Sequence, residues 1–353
     1  MTIIYFLILL SMIIVIHEAG HLLAAKKFNV FCYEFSFGMG PLLWQKKGKE
    51  TRYSIRAIPV GGYVSMAGEE DGDALYPDVK VPEGRRLTDI VWWKKIIILL
   101  AGVTMNFLMA WVIFSLTMLA GGYYRAPAKA VVEQVVEGSP AEAAGFMPGD
   151  KIISVTKEDG SSIHPETYID MQTFSAGYSG EETYVVERAD GQQYEIKVTP
   201  RYSEEDDAYL IGIVGSSGEL EKVNLLNCWY YGALEMGLIA RLLFTTIAGL
   251  FHGHGLNQLS GPVGIYQATE TYAAMGFASF MLLVAQLSLN VGIFNLLPLP
   301  VLDGGQIVIT LAETIVGKEL NDKVKTGLMV ACWVLLIGFM VFVTWQDISR
   351  LFS

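Results

Sequence analysis

Residues 14–27 read IVIHEAGHLLAAKK and hold two histidines and a glutamate in the run His17-Glu18-Ala19-Gly20-His21. On a helix, positions four apart face the same way. Both imidazoles can therefore bind one metal ion while the intervening carboxylate reaches water beside it. This HExxH pattern suits zinc, which takes nitrogen and carboxylate ligands and in reactive sites keeps one position for water. The surroundings sharpen the reading, because the pattern lies in the second half of an apolar stretch. Hydrocarbon offers no compensation for three polar groups packed so closely. The alternative is a pair of histidines satisfied by hydrogen bonds to neighbouring helices.

These residues need a frame to hold them. The 353-residue chain is 52% hydrophobic and only 17% charged, with a mean hydropathy of +0.39; soluble proteins carry about 25% charged residues. Four apolar blocks, at 1–25, 96–122, 278–303 and 327–347, each meet the roughly 20 residues that a helical span requires. The first block lacks the basic start and small-residue cleavage site of a signal peptide, so it is expected to be retained. Cys32, Cys228 and Cys332 are scattered and make no disulfide framework or metal motif.

Charge orients the frame. The loop 26–95 opens with Lys26-Lys27 and closes with Lys94-Lys95, and by the positive-inside rule it is cytoplasmic. The stretch 123–228 is acidic, densest at SEEDD (203–207), and is then extracytoplasmic. The net charge of −11 reflects that outer region and argues against a nucleic-acid partner. A further apolar segment, 229–251, contains Glu235 and Arg241 and reads as a peripheral amphipathic helix. If it crossed the membrane, the 278–303 helix would run outward, away from the histidines. If it lies on the surface, that helix runs inward and brings Asp303 to the side where His17 and His21 lie.

Two stretches between the spans read as β structure. Residues 33–66 alternate aromatic and β-branched residues with others, punctuated by glycines and Pro59. They predict a small hairpin array, apolar enough to dip into the membrane. Residues 67–92 read as surface loop. Residues 126–215 form a compact outer domain, with a hairpin expected around Asp190-Gly191.

Zinc needs a third protein ligand at membrane depth. His164 belongs to the outer domain, and His252 and His254 follow the peripheral helix, where they read as a polar turn. Asp303 lies in NLLPLPVLDGGQ (295–306), where two prolines break the helix and Gly304-Gly305 let the backbone turn. Spacing alone leaves it equally a ligand or a cap for the segment that follows.

Taken together, HExxH in the first span, SPAEAAGFMPGD (139–150) in the outer domain and NxxPxxxLDG in a later span resemble the site-2 protease family of intramembrane zinc metalloproteases. The likeness is to bacterial members that cleave membrane-bound anti-sigma factors. It extends to FGMGP (37–41), IPVGGYVSM (58–66) and LSGPVGI (259–265). The SPAEAAGFMPGD run itself resembles the PDZ domains of bacterial membrane proteases. The resemblance implies His17, His21 and Asp303 as zinc ligands and Glu18 as catalytic base. It makes Asn295 and Pro298 part of a substrate-binding wall, with Gly61 and Gly62 of the hairpin beside the substrate. It also implies single-span membrane proteins as substrates, in a cell-membrane setting, with oligomeric state open. One departure stands out: AGVTMNF (101–107) has Val103 where the family often has proline before Asn106.

The expected fold is a polytopic α-helical membrane protein of about four spans, with a membrane-associated β-hairpin loop and an extracytoplasmic PDZ-like α+β domain. Two other readings compete. A membrane-anchored zinc peptidase with its site in water is disfavoured because too few apolar residues precede His17 to span. A scaffold that only presents its outer domain leaves the His-Glu-His-Asp set without purpose.

Overall fold

The computed structural model describes residues 1–353 apart from 176, 204–207, 217, 252–259, 319 and 351–353. His252, His254, most of the SEEDD run and Leu259 therefore lie outside the described residues. The chain divides into two compact units, residues 1–117, 226–243 and 259–353 in one and 118–225 with 244–258 in the other. Among the described residues, four helices are long and apolar enough to cross a membrane: Thr2–Lys27, Trp92–Gly121, Phe277–Asn295 and Lys323–Arg350. The protein is a multi-pass membrane protein with these four candidate spans.

The first unit begins with α1 (Thr2–Lys27), a helix that carries the HExxH run in its C-terminal half. Strands β1 (Cys32–Lys47) and β2 (Arg52–Met66) follow, and their pairing is more folded than a single hairpin. Glu34 and Phe35 pair with Ser65 and Val64 on one side and with Arg52 and Tyr53 on the other, while Trp44 to Lys47 pair with Ile55 to Arg52. Residues 34–37 are thus the centre of a curled sheet, and 62–66 form one of its edges. Within 67–92, expected as loop, a short α2 (Glu70–Leu75) forms before α3 (Trp92–Gly121). Leu22, Ala25, Val30, Cys32, Val64, Met66 and Ile98 make a buried cluster that fixes the sheet on α1 and α3.

The second unit is α+β. Its strands are β3 (Tyr123–Arg125), β4 (Val132–Val135), β5 (Lys151–Lys157), β6 (Ser162–Ile163), β7 (Glu182–Glu187), β8 (Gln193–Val198), β9 (Arg201–Ser203), β10 (Ala208–Leu210), β11 (Ile213–Gly215) and β12 (Leu220–Lys222). The largest sheet has the order β6-β5-β7-β8, and β4 pairs with β11. Helices α4 (Pro140–Ala144) and α5 (Tyr168–Ser175) close a core that includes Val132, Phe146, Ile152, Val155, Tyr184 and Val186. SPAEAAG makes α4 by local chemistry. Ser139 accepts from the Glu142 N–H, Pro140 opens the helix and Gly145 ends it at φ +90°.

The remaining helices are α6 (Cys228–Phe251), α7 (Pro262–Ala274), α8 (Phe277–Asn295), α9 (Asp303–Val316) and α10 (Asp322–Arg350). The helix expected over 278–303 ends at Asn295. Pro298 and Pro300 cannot continue it, and Asp303 instead opens α9. The segment read as a peripheral helix packs Met236, Ile239, Ala240 and Leu243 against Ala110, Phe114, Leu289 and Ile293 of α3 and α8. At the far end of the unit, the buried Asp347 accepts from the Gly261 and Gly264 N–H groups, both at 2.9 Å, so α10 caps the start of α7.

Candidate metal centre

His17 and His21 lie on one face of α1, both buried, their ring planes at 83° and centroids 4.7 Å apart. The two Nε2 atoms are 3.1 Å apart, and Asp303 Oδ2 lies 3.2 Å from the first and 3.5 Å from the second. Among the described residues this is the one group of three potential ligands gathered closely enough to hold a metal ion. Its triangle has the size that zinc requires. With ligand bonds of about 2.0–2.1 Å, tetrahedral neighbours stand about 3.3–3.4 Å apart. Apart from the imidazoles, Asp303 Oδ2 has no hydrogen-bond partner among the described residues, so the residues present fit the ion.

The approach of α3 makes this triangle possible. A Cβ at Gly20 would run into the Ala101 carbonyl, and one at Gly102 would strike the His21 and His17 rings. Small residues on both helices let the backbones close up, as they do between helices in membranes. That closeness delivers the Ile98 carbonyl to His21 Nδ1 at 2.8 Å. A carbonyl only accepts, so Nδ1 carries the proton and Nε2 is left for a metal.

Asp303 arrives by a tight reversal. Leu296 and Leu297 end α8 with carbonyl-to-amide turns, and Leu302 donates to the Leu299 carbonyl. Gln306 Nε2 donates to the Pro300 carbonyl at 2.6 Å, binding the turn to α9. Any Cβ on Gly304 or Gly305 would meet the backbone of 296–300. The carboxylate faces the imidazoles and does not cap α9, whose flanking residue is Leu302.

Glu18 is held by the sheet edge. Its Oε2 accepts from the Val64 N–H at 3.1 Å, and an added Cβ at Gly62 would lie 3.8 Å from its Cγ. Ser11 Oγ donates to the Pro59 carbonyl at 3.0 Å, a second tie between α1 and β2. Gly62 is therefore beside the HExxH glutamate, whereas Gly61, at φ +90°, abuts Met39. Asn295 is the last residue of α8, half-buried, and Pro298 is exposed in the turn toward Asp303. The structure brings His17, Glu18, His21, Asp303 and Gly62 together. Sequence reasoning missed the Val64 N–H and the Ile98 carbonyl, since backbone groups leave no residue-type signal.

The chain matches the family model described as Peptidase family M50 over residues 5–339. Among curated proteins it is similar to the zinc metalloprotease RasP of Shouchella clausii, 29% identical with 100% of each chain covered. It is also similar to a candidate zinc metalloprotease of Fusobacterium nucleatum, 33% identical over 100% of each. A third, from Clostridium acetobutylicum, is 32% identical over 96% of this chain and 94% of the relative.

Proposed function

The chain belongs to Peptidase family M50, and from that premise we propose that it is an intramembrane zinc endopeptidase cutting peptide bonds within the transmembrane segments of single-span membrane proteins. One observation carries the reading. Two corners of the ligand triangle belong to α1, a helix long and apolar enough to cross a membrane. A metal centre so placed meets peptide bonds at membrane depth. The relatives named as zinc metalloproteases support zinc as the ion.

Zinc, when bound, supplies a Lewis acid for the scissile carbonyl and lowers the pKa of coordinated water to about 7. His17, His21 and Asp303 would hold it. Glu18 takes the proton of the attacking water and returns it to the leaving amine. Its Oε2 is engaged by Val64, which directs the other oxygen to that work. A helical substrate has its backbone groups paired internally, so it unwinds before cleavage. The hairpin sheet at 33–66 accepts the unwound segment as an added strand, with Gly61 and Gly62 beside it. Asn295 binds the substrate backbone, and Pro298 shapes the wall leading to Asp303.

The second unit is PDZ-like on this reading and binds extended peptide ends or excludes bulky substrates. The protein sits in the cell membrane with the basic loop 26–95 in the cytoplasm. Substrates of the class are anti-sigma factors or remnant signal peptides. The test is purified, detergent-solubilised chain incubated with a single-span substrate, with zinc per chain measured alongside. One zinc and cleavage inside the span are expected. A folded protein that takes up no zinc when the metal is supplied overturns the reading in favour of a scaffold.

A further inference from the structure

Helix α3 presents three groups at successive four-residue steps to the histidines of α1. The Ile98 carbonyl meets His21 Nδ1 at 2.8 Å, Gly102 admits both rings, and Asn106 Nδ2 lies 3.3 Å from His17 Nδ1. The helices run antiparallel here, so one stripe of α3 addresses both histidines in turn. Asn106 has 0% exposure. Its Oδ1 is buried with no hydrogen-bond partner among the described residues. The backbone beneath it is fixed by Ser288 Oγ, which donates to the Asn106 carbonyl at 3.0 Å.

We propose that Asn106 is a positioning residue of the metal centre, accepting the His17 Nδ1 proton through its amide oxygen whenever Nε2 binds the ion. This rests on the zinc reading above. An imidazole that gives Nε2 to a metal keeps its proton on Nδ1, and that proton needs an acceptor. In the orientation described, the amide offers Nδ2, a donor, to that nitrogen. A half-turn of the amide exchanges nitrogen and oxygen at nearly the same positions and puts the unpartnered Oδ1 opposite Nδ1.

Asparagine is suited to this place because it serves either tautomer. With the proton on Nε2, the ring donates toward Asp303 Oδ2 at 3.2 Å and accepts at Nδ1 from Nδ2. With metal, Nδ1 donates to Oδ1. The same site needs no side chain for His21, whose acceptor is the helix backbone. The two histidines of one motif are thus oriented by different devices, one built into the fold and one replaceable by mutation.

The experiment is zinc affinity of the full chain in detergent, by competition with a chromophoric chelator, for wild type, Asn106→Ala, Asn106→Leu and Asn106→Asp. Loss of an outer-shell partner lowers metal affinity about 10–100-fold. That loss is expected in the alanine and leucine variants, the leucine variant keeping the side-chain volume, while Asn106→Asp retains wild-type affinity because a carboxylate oxygen accepts the same proton. Cobalt(II) substituted for zinc provides a second readout. Its visible bands shift in the alanine and leucine variants. Wild-type affinity and an unchanged cobalt spectrum in Asn106→Ala or Asn106→Leu, whichever folds, overturn the proposal and leave the zinc reading standing. Absence of zinc from wild type overturns both.

Discussion

Asp150 and Asp303 are both carboxylates taken out of water, and they are completed in opposite ways. Asp150, in the second unit, is 1% exposed. Its Oδ1 accepts from Arg188 Nε at 3.1 Å and its Oδ2 from the Met147 N–H at 2.9 Å. Arg188 in turn donates to the Gly145 carbonyl. Every group in that circuit has a partner inside the unit, and the circuit ties the turn after α4 to the β7–β8 hairpin. Asp303 has its Oδ2 against two imidazole nitrogens and no other hydrogen-bond partner for that oxygen among the described residues. One imidazole is held by a carbonyl so that its Nε2 faces inward. A buried carboxylate whose oxygens are met by donors of the fold is part of the fold, whereas one set against two imidazole nitrogens that can ligate offers a cation its third ligand.

The sharpest way to break this contrast is to remove one carboxylate at a time. Asp303→Ala leaves two imidazoles, one short of the three protein ligands of a reactive zinc site. Zinc per chain is expected to fall from one to near zero, with cleavage lost, while the second unit keeps its stability. Elemental analysis and limited proteolysis of the same preparation read both. Glu18→Gln comes next. It keeps all three ligands, so zinc stays, but the proton acceptor is gone and cleavage falls by about 10²–10⁴-fold. Full cleavage by that variant would remove Glu18 from the mechanism.

Asp150→Ala is the reverse experiment. It takes one partner from the partly exposed Arg188, which keeps the Gly145 carbonyl, and leaves the Met147 N–H without its acceptor, so the second unit is expected to unfold at lower denaturant or temperature. Zinc content is expected to remain at the wild-type value. If zinc were lost together with the second unit, the two carboxylates would not be independent.

How far the sequence carried is visible in the same residues. His17, Glu18 and His21 were legible because a helical repeat places them without any tertiary knowledge. Asp303 was half legible. Its chemistry was plain, but the stop at Asn295 and the reversal through Pro298 and Pro300 decide whether it caps α9 or faces the rings, and that is a tertiary outcome. SPAEAAG showed its helix because capping is local. The double pairing of residues 34–37 was not legible, since a strand in the middle of a curled sheet has the same alternation as one in a simple hairpin. Val64 and Ile98 act through the backbone, to which side-chain patterns are blind.

A third carboxylate refines the comparison at its smallest expected effect. Glu34, at the centre of the sheet, has 0% exposure. It accepts from Arg56 Nη2 at 3.0 and 3.2 Å and from the Tyr76 hydroxyl. Burial pushes its pKa up, but the hydrogen bonds from Ser54, Tyr76 and Arg56 and the arginine's charge outweigh that and hold it below the ordinary 4.5. Because the folded-state pKa is the lower one, the stability it contributes is present above the unfolded value and is lost as pH falls through the folded one. The sheet at 32–66 is therefore expected to loosen at acid pH, seen as faster hydrogen exchange at the Phe35 and Val64 amides. Glu34→Gln removes that dependence while leaving zinc affinity at neutral pH within about 2-fold, the expectation for a fully paired carboxylate away from the ligands. Unchanged acid sensitivity in Glu34→Gln would mean that another group sets it. A large fall in zinc affinity would mean that the sheet reaches the metal through Val64 and Glu18, and the line between carboxylates of the fold and carboxylates of the site would have to be redrawn there.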